Sequence, residues 1–275
     1  MFRSFLIIAL IGLSFIGPKK AIGQDSTKHE FFLFWGYNRS IYSKSDITMN
    51  GDGYNYTLRD VEARDKPEEF DPKVYFNILT LSIPQFNIRG GWRFKNNWSI
   101  TGGYDHMKYV VKTDQTVLID GDISTPNAGA FQGNYNQDSI QITTDFLTFE
   151  HTDGLNYISV ELEHLKSLWK SKNEKLFLQT RNGADIAALY PRTDVKIFGE
   201  SNPNIWNLAG FGFSLHSQMR MHFGKFFFIQ TTVKGGHIFM PKIKITGNSG
   251  EWARQHFWFL EGFWAIGSRF YINKK

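Results

Sequence analysis

The 275-residue sequence contains no cysteine. Structural disulfides, thiolate metal sites and a lipid-modified N-terminal cysteine are excluded by that alone. Helical periodicity is missing as well. Beyond residue 24 no segment keeps apolar residues at the three-to-four spacing of an amphipathic helix. Long basic runs are also absent. Residues 1–23 carry Arg3, Lys19 and Lys20, and without them the 31 Lys and Arg become 28 against 26 Asp and Glu. So even a balance gives no support to nucleic-acid binding.

Aromatic residues are abundant instead, with 26 Phe, 11 Tyr and 8 Trp. A load of that size fits belts of rings at two membrane interfaces. The N-terminus agrees with export. One positive charge at Arg3 precedes an apolar run from Phe5 to Ile16, and Ala21 and Gly23 are small residues ahead of Gln24. This pattern is expected to be a secretory signal peptide, residues 1–23, because the run is shorter than the roughly 20 apolar residues of a membrane-crossing helix. The remaining residues, 24–275, are expected to form one domain, stabilised by packing and backbone hydrogen bonds alone.

Within that domain the recurring pattern has a period of two. In "SLHSQMRMHFGKFFFIQTTVKGG", residues 214–236, Leu215 and Met219 alternate with Gln218 and Arg220, and after Gly224 Phe227 and Ile229 alternate with Gln230 and Lys234. Such alternation marks strands with two unlike faces. Eight long segments of this kind run over 30–43, 82–94, 97–112, 155–168, 176–190, 206–222, 226–240 and 255–272. Most exceed the roughly 9–11 residues that a tilted strand needs to cross a bilayer. The connections alternate strictly: long at 44–81, 113–154, 191–205 and 241–254, short at 95–96, 169–175 and 223–225. Membrane barrels show this parity, with short turns on one side and longer loops on the other. The fold expected is therefore all-β, an antiparallel transmembrane barrel of eight strands. Ten strands become possible if 54–63 and 139–150, which also alternate, cross the membrane; otherwise they are hairpin arms rising from loops 44–81 and 113–154.

The polar faces hold full charges of both signs. Arg89, Arg93, Arg181, Arg220 and Arg269 share faces with Glu161, Glu163, Asp185 and Glu261. Buried charges are tolerated when paired, and an eight-stranded barrel is just wide enough inside for side chains to fill it. These residues are expected to form an interior ion network, while Leu215, Met219, Phe227 and Ile229 face lipid. Thr180 and Asn182 interrupt the apolar face of 176–190.

Few motifs suggest chemistry. In "FEHTDGLNY", His151 and Asp153 have a spacing that could orient an imidazole as in a hydrolase, although Asp153-Gly154 is equally an ordinary turn. In "GYDHMKYV", Asp105 and Met107 are expected inside, with His106 and Lys108 outside near a strand end. "NGDG" (50–53) and "IDGD" (119–122) read as acidic loop tips without the ligand spacing of a calcium loop. No cofactor or metal is expected.

The segments "FWGYNRSIYSKSDI", "GYDHMKYV" and "FLTFEHTDGLNY", with the signal and the aromatic strands, resemble a family of small outer-membrane β-barrel proteins of Bacteroidota. In architecture alone the chain is similar to eight-stranded barrels of the OmpA and OmpX type. The resemblance spans residues 24–275 and implies a fold and a location, the outer membrane of a Gram-negative bacterium; it carries over no catalytic residue. The role expected is structural or one of surface interaction, with outer-membrane lipid or lipopolysaccharide around the barrel and an extracellular ligand or protein at the long loops. The alternative is a lipid A acylase or deacylase using His151, Asp153 and His106. Small-barrel deacylases place a His and a Ser two residues apart on a lipid-facing strand, and no His here has a Ser two positions after it.

Overall fold

The computed structural model describes residues 28–69, 71–75, 83–202, 204–248 and 250–273. The expected signal peptide lies outside the described residues. Strands are numbered in chain order, and the short β4 (Ala63–Arg64), β11 (Arg192–Ile197), β12 (Glu200–Ser201) and β13 (Ile205–Trp206) lie outside the ring. Eight of them form a closed antiparallel ring: β1 (Lys28–Tyr42), β5 (Phe86–Lys95), β6 (Trp98–Val111), β9 (Leu147–Lys170), β10 (Leu176–Leu189), β14 (Gly210–Phe223), β15 (Phe227–Lys244) and β16 (Trp252–Asn273). Each pairs with the next, and β16 pairs back onto β1 from Lys28↔Asn273 to Tyr42↔Phe259. Closure leaves no unpaired ladder around the ring, so every strand finds backbone partners on both sides.

The ring strands coincide with the eight alternating segments. Short turns join β5 to β6, β9 to β10 and β14 to β15, and the chain leaves β16 at the same end where it enters β1. Gly224 supplies the left-handed backbone, φ 64°, that the turn at 224–226 requires. The strands run past the expected boundaries at the other end. β9 begins at Leu147, and β15 reaches Lys244 before a connection of only 245–251.

The long connections extend the same sheet beyond the ring. β2 (Ser45–Gly51) continues the ladder from β16 at Gln255↔Ile47, followed by β3 (Tyr54–Val61), β7 (Thr116–Ile123) and β8 (Gly133–Gln141). Segment 54–63 is thus a hairpin arm above the ring. Segment 139–150 is not a single arm: 139–141 end β8 and 147–150 open β9, divided by a turn in which Phe146 N–H donates to the Thr143 carbonyl (3.1 Å). Likewise 119–122 is no loop tip. It lies within β7, where Asp120 accepts from Arg59 Nε at 2.8 Å.

The two faces of the ring differ as the alternation requires. Ile88, Trp92, Ile158, Val160, Leu162, Leu215, Met219, Phe227, Ile229, Val233, Trp264 and Ile266 are exposed on the outside. Along β16 this apolar face runs from Trp258 to Phe270. At about 3.3 Å per residue and a tilt of about 40°, it spans roughly 30 Å, the thickness of bilayer hydrocarbon. Asn182 is the outward polar exception and accepts from the Ser217 hydroxyl beside it (2.8 Å); Thr180 is buried.

The pairing of β6 directly with β9 separates eight strands from ten, since a crossing segment at 139–150 would lie between them. Cysteines at Ile100 and Leu162, opposed in that ladder, should form an intramolecular disulfide in the assembled barrel. Failure to cross-link under oxidation that joins Leu33 to Ser268, opposed across the β1–β16 seam, would contradict the ring.

Candidate functional site: the filled barrel interior

The inward residues divide the interior into three levels. At the short-turn end, Arg93 Nη1 meets Glu30 at 3.1 Å and Arg269 approaches the same carboxylate at 4.0 Å. Above them Phe32, Phe34, Phe228, Phe263 and Ala265 pack together. The Arg220 guanidinium lies over Phe228 (4.0 Å) and Phe32 (4.7 Å), and Arg181 lies over Phe32 (4.2 Å). The rings take up charge that would otherwise lack a carboxylate, since desolvated cation–π contacts are worth about 2 kcal/mol. Arg220 Nε also donates to Gln230 Oε1 (2.7 Å), and Arg181 faces Glu163 at 3.4 Å.

The middle level is a lattice of ions. Arg89 donates to both oxygens of Asp105, at 2.6 and 3.0 Å, and through Nε to Glu161 at 2.7 Å. Lys234 Nζ joins Asp105 (2.8 Å) and Asp185 (3.5 Å). Asp185 also accepts from the hydroxyls of Tyr157 (2.5 Å) and Ser214. Glu163 collects Ser99 (2.8 Å), Thr101 (2.9 Å) and Gln218 (2.7 Å), with His216 at 3.5 Å. Glu261 accepts from Asn87 Nδ2 at 3.0 Å. All of these charged groups are buried.

Glycines make the room. A Cβ on Gly103 would stand 2.6 Å from Arg89 Nε, and one on Gly183 2.6 Å from His216 Nε2. Large charged side chains therefore fit a narrow barrel because facing positions on neighbouring strands are empty.

The nine residues expected in the interior, Arg89, Arg93, Glu161, Glu163, Arg181, Asp185, Arg220, Glu261 and Arg269, are all buried, with Arg181 and Glu163 linking the lower cations to the middle level. The expected ion network did not include Glu30, Asp105, Lys234 and His216, although the alternation puts Asp105 and Lys234 inside; all four are buried on inward faces.

Above the ions the interior is apolar. Met107, Tyr109, Leu155, Leu189, Ile238, Met240, Phe257 and Phe259 continue the inward faces. The mouth is covered by rings from the long connections: Phe146 lies 5.0 Å from Phe131, 5.7 Å from Tyr56 and 6.0 Å from Phe198. A cavity of about 450 Å³ lies beside this cap, lined by Arg64, Lys66, Val110, Lys112, Phe149 and Glu150 among others.

The three residues singled out for chemistry are not brought together. His151 is fully buried between Tyr109 and Phe149, with Nδ1 3.2 Å from the Thr193 hydroxyl. Asp153 is exposed and paired with Arg192 at 3.0 Å. His106 stacks on Phe86 and shares a hydrogen bond of 2.9 Å with Asn156. His106 and Lys108 were expected to be exposed on the outer face; both are buried, Lys108 with Glu68 at 3.5 Å. One trio, Glu161, Glu163 and His216, could present ligand atoms within 4.8 Å of one another. Arg89 and Arg181 already hold those carboxylates, so a metal cation would enter a site occupied by cations.

No protein-family model and no curated protein matches the chain. Among solved structures it is similar to Ail, the attachment invasion locus protein of Yersinia pestis, in a complex with the heparin analogue sucrose octasulfate. Identity is 13%, TM-score 0.30, with 88% of this chain and 99% of that one covered. OprG from Pseudomonas aeruginosa gives 7% and 0.37 over 90% and 98%, and the outer membrane protease OmpT from Escherichia coli 8% and 0.25 over 91% and 99%. No residue role is taken from them.

Removing one member of the lattice leaves a buried charge without its partner. Glu161→Ala should destabilise the barrel by about 3 kcal/mol, since breaking a buried pair costs far more than an exposed one contributes. Glu62→Ala, in the exposed cluster with Lys44 and Lys112, should leave the unfolding transition in place. Denaturant titration in detergent, read by heat-modifiable gel migration, measures both; equal effects would contradict the interior assignment.

Proposed function

We propose that the chain is an integral outer-membrane β-barrel of a Gram-negative bacterium whose role is to carry an interaction surface outside the cell. The observation that carries this reading is the interior. Buried side chains line it from Glu30 at one end to the ring cluster of Phe131, Phe146 and Phe198 at the other, which supports a plugged lumen. A barrel filled in this way offers no general water path, so its working surfaces are the outer wall and the sheet built by the long connections. Binding residues concentrate on loops held by a rigid scaffold. Here residues 45–61 and 116–141 of the long connections form paired strands, and Arg64, Lys66 and Lys112 line the 450 Å³ cavity. An extracellular ligand or protein is the partner this surface supports.

The long connections lie at the end opposite both described termini, which puts them outside if the chain enters from the periplasm. Lipid modification by His151 and Asp153 finds no support in their geometry, because the imidazole is sealed from lipid and the carboxylate serves Arg192.

Cysteine labelling tests the reading directly, since the native chain has none. Cysteines at the exposed Ser139 and Asn248 should react on intact cells with a membrane-impermeant maleimide, and one at Asn173, in a short turn, should not. Planar bilayers containing the protein should show no large steady conductance. Labelling at Asn173, or porin-like conductance, would overturn the proposal.

A further inference from the structure

On the outer wall of β15 and β16 the apolar band ends in an ordered gradient. Reading away from the band, His237 stands opposite Trp258, then Phe239 opposite His256. Next come the Pro241–Lys242 bulge beside Arg254, and Lys244 opposite Trp252. The first part is a connected platform of rings: His237 lies 4.9 Å from Trp258, Phe213 lies 6.1 Å from Trp258, and Phe211 lies 5.5 Å from Phe239. The second part is basic. Lys242, Lys244 and Arg254 are exposed, and Arg254 lies 5.5 Å over the Trp252 ring.

Two features set these three cations apart. Several basic side chains at this end are matched: Arg59 with Asp46 and Asp120, Lys44 and Lys112 with Glu62, Lys66 with Glu150. Among the described residues, Lys242, Lys244 and Arg254 make no ion pair. The bulge that places them is also held in position. Asn207 Nδ2 donates to the Lys242 carbonyl (3.0 Å), and Lys244 N–H donates to Asn207 Oδ1 (3.1 Å). A row of unmatched cations one step beyond an aromatic belt lies at the depth of lipid headgroups.

We propose that this wall binds a phosphorylated glycolipid of the outer leaflet. Lys242, Lys244 and Arg254 take the phosphates, Trp252 and His256 meet the sugar, and the acyl chains lie along Phe239, Trp258 and Phe213. Rings suit a sugar face and the headgroup level alike, and clustered basic side chains are the means by which membrane proteins select anionic lipid. This inference rests on the orientation proposed above, with the long connections outside.

Native mass spectrometry of the detergent-solubilised barrel, titrated with bisphosphorylated lipid A, tests it. The wild-type protein should retain one lipid at low ratio. The triple variant K242Q/K244Q/R254Q should bind at least about tenfold more weakly. A control of equal charge change at the other end, K172Q/K175Q/K225Q, should bind as wild type does, and lipid A stripped of its phosphates should bind poorly to all three. Equal binding by the two triple variants would overturn the inference. So would equal binding of the dephosphorylated lipid to the wild-type protein, a measurement that needs no variant to fold. Competition by equimolar inorganic phosphate would mark a free-anion site and would also overturn it. A reversed labelling pattern in cells would instead fail the orientation, and it would do so independently of the lipid titration.

Discussion

Arg89 and Asp105 meet through two hydrogen bonds, 2.6 and 3.0 Å long, inside a ring whose outer face is apolar. Neither charge can reach water without opening the barrel, so each depends on the other. From this pair the middle level is assembled, Glu161 on the free side of Arg89 and Lys234 on Asp105, with Asp185 beyond it. The constraint reaches into the strands, because the residues that meet belong to β5, β6, β9, β10 and β15. A slip of one residue in any of these ladders would turn an ion outward into the apolar band and bring an outward residue such as Ile88, Val160 or Val233 inward. Pairing of buried charge and strand register are therefore one requirement in this chain.

The two ends of the barrel close by different physics. At the short-turn end guanidinium groups outnumber carboxylates, and phenylalanine faces hold Arg181 and Arg220. At the long-connection end the interior turns apolar, and the covering sheet packs its own rings over it as a soluble domain would. This division suits the media on the two sides. Within the band the inner residues must compensate one another, whereas beyond it the added strands face water and can bury a conventional core.

Much of this was legible in the sequence. The strict parity of connection lengths marked all eight ring strands, and the unlike faces of segments such as 155–168 assigned Glu161 and Glu163 to the inside. The cap was not legible. Met107, Tyr109, Ile238 and Met240 continue the same inward faces as the ions, and a period of two does not reveal where along a strand the surroundings change from bilayer to water. The arm at 139–150 failed for a related reason: apolar residues recur through the turn at 142–146, which is set by the Thr143–Phe146 hydrogen bond and not by glycine or proline, and only the adjacent pair Phe146–Leu147 marks the change of phase. The space for Arg89 and His216 comes from Gly103 and Gly183 on neighbouring strands, a relation that becomes visible only once the register is known.

The central claim is that buried charges on different strands hold the ring together as partners. A double-mutant cycle on Arg89→Met and Asp105→Leu, followed by reversible unfolding in detergent, tests it most directly. Each single variant leaves one charge buried without its partner, so the double variant should be less destabilised than the sum of the two, with a coupling of about 2–3 kcal/mol. Additive effects with a coupling near zero would mean that the two charges are independently solvated and that the lattice does not hold the barrel.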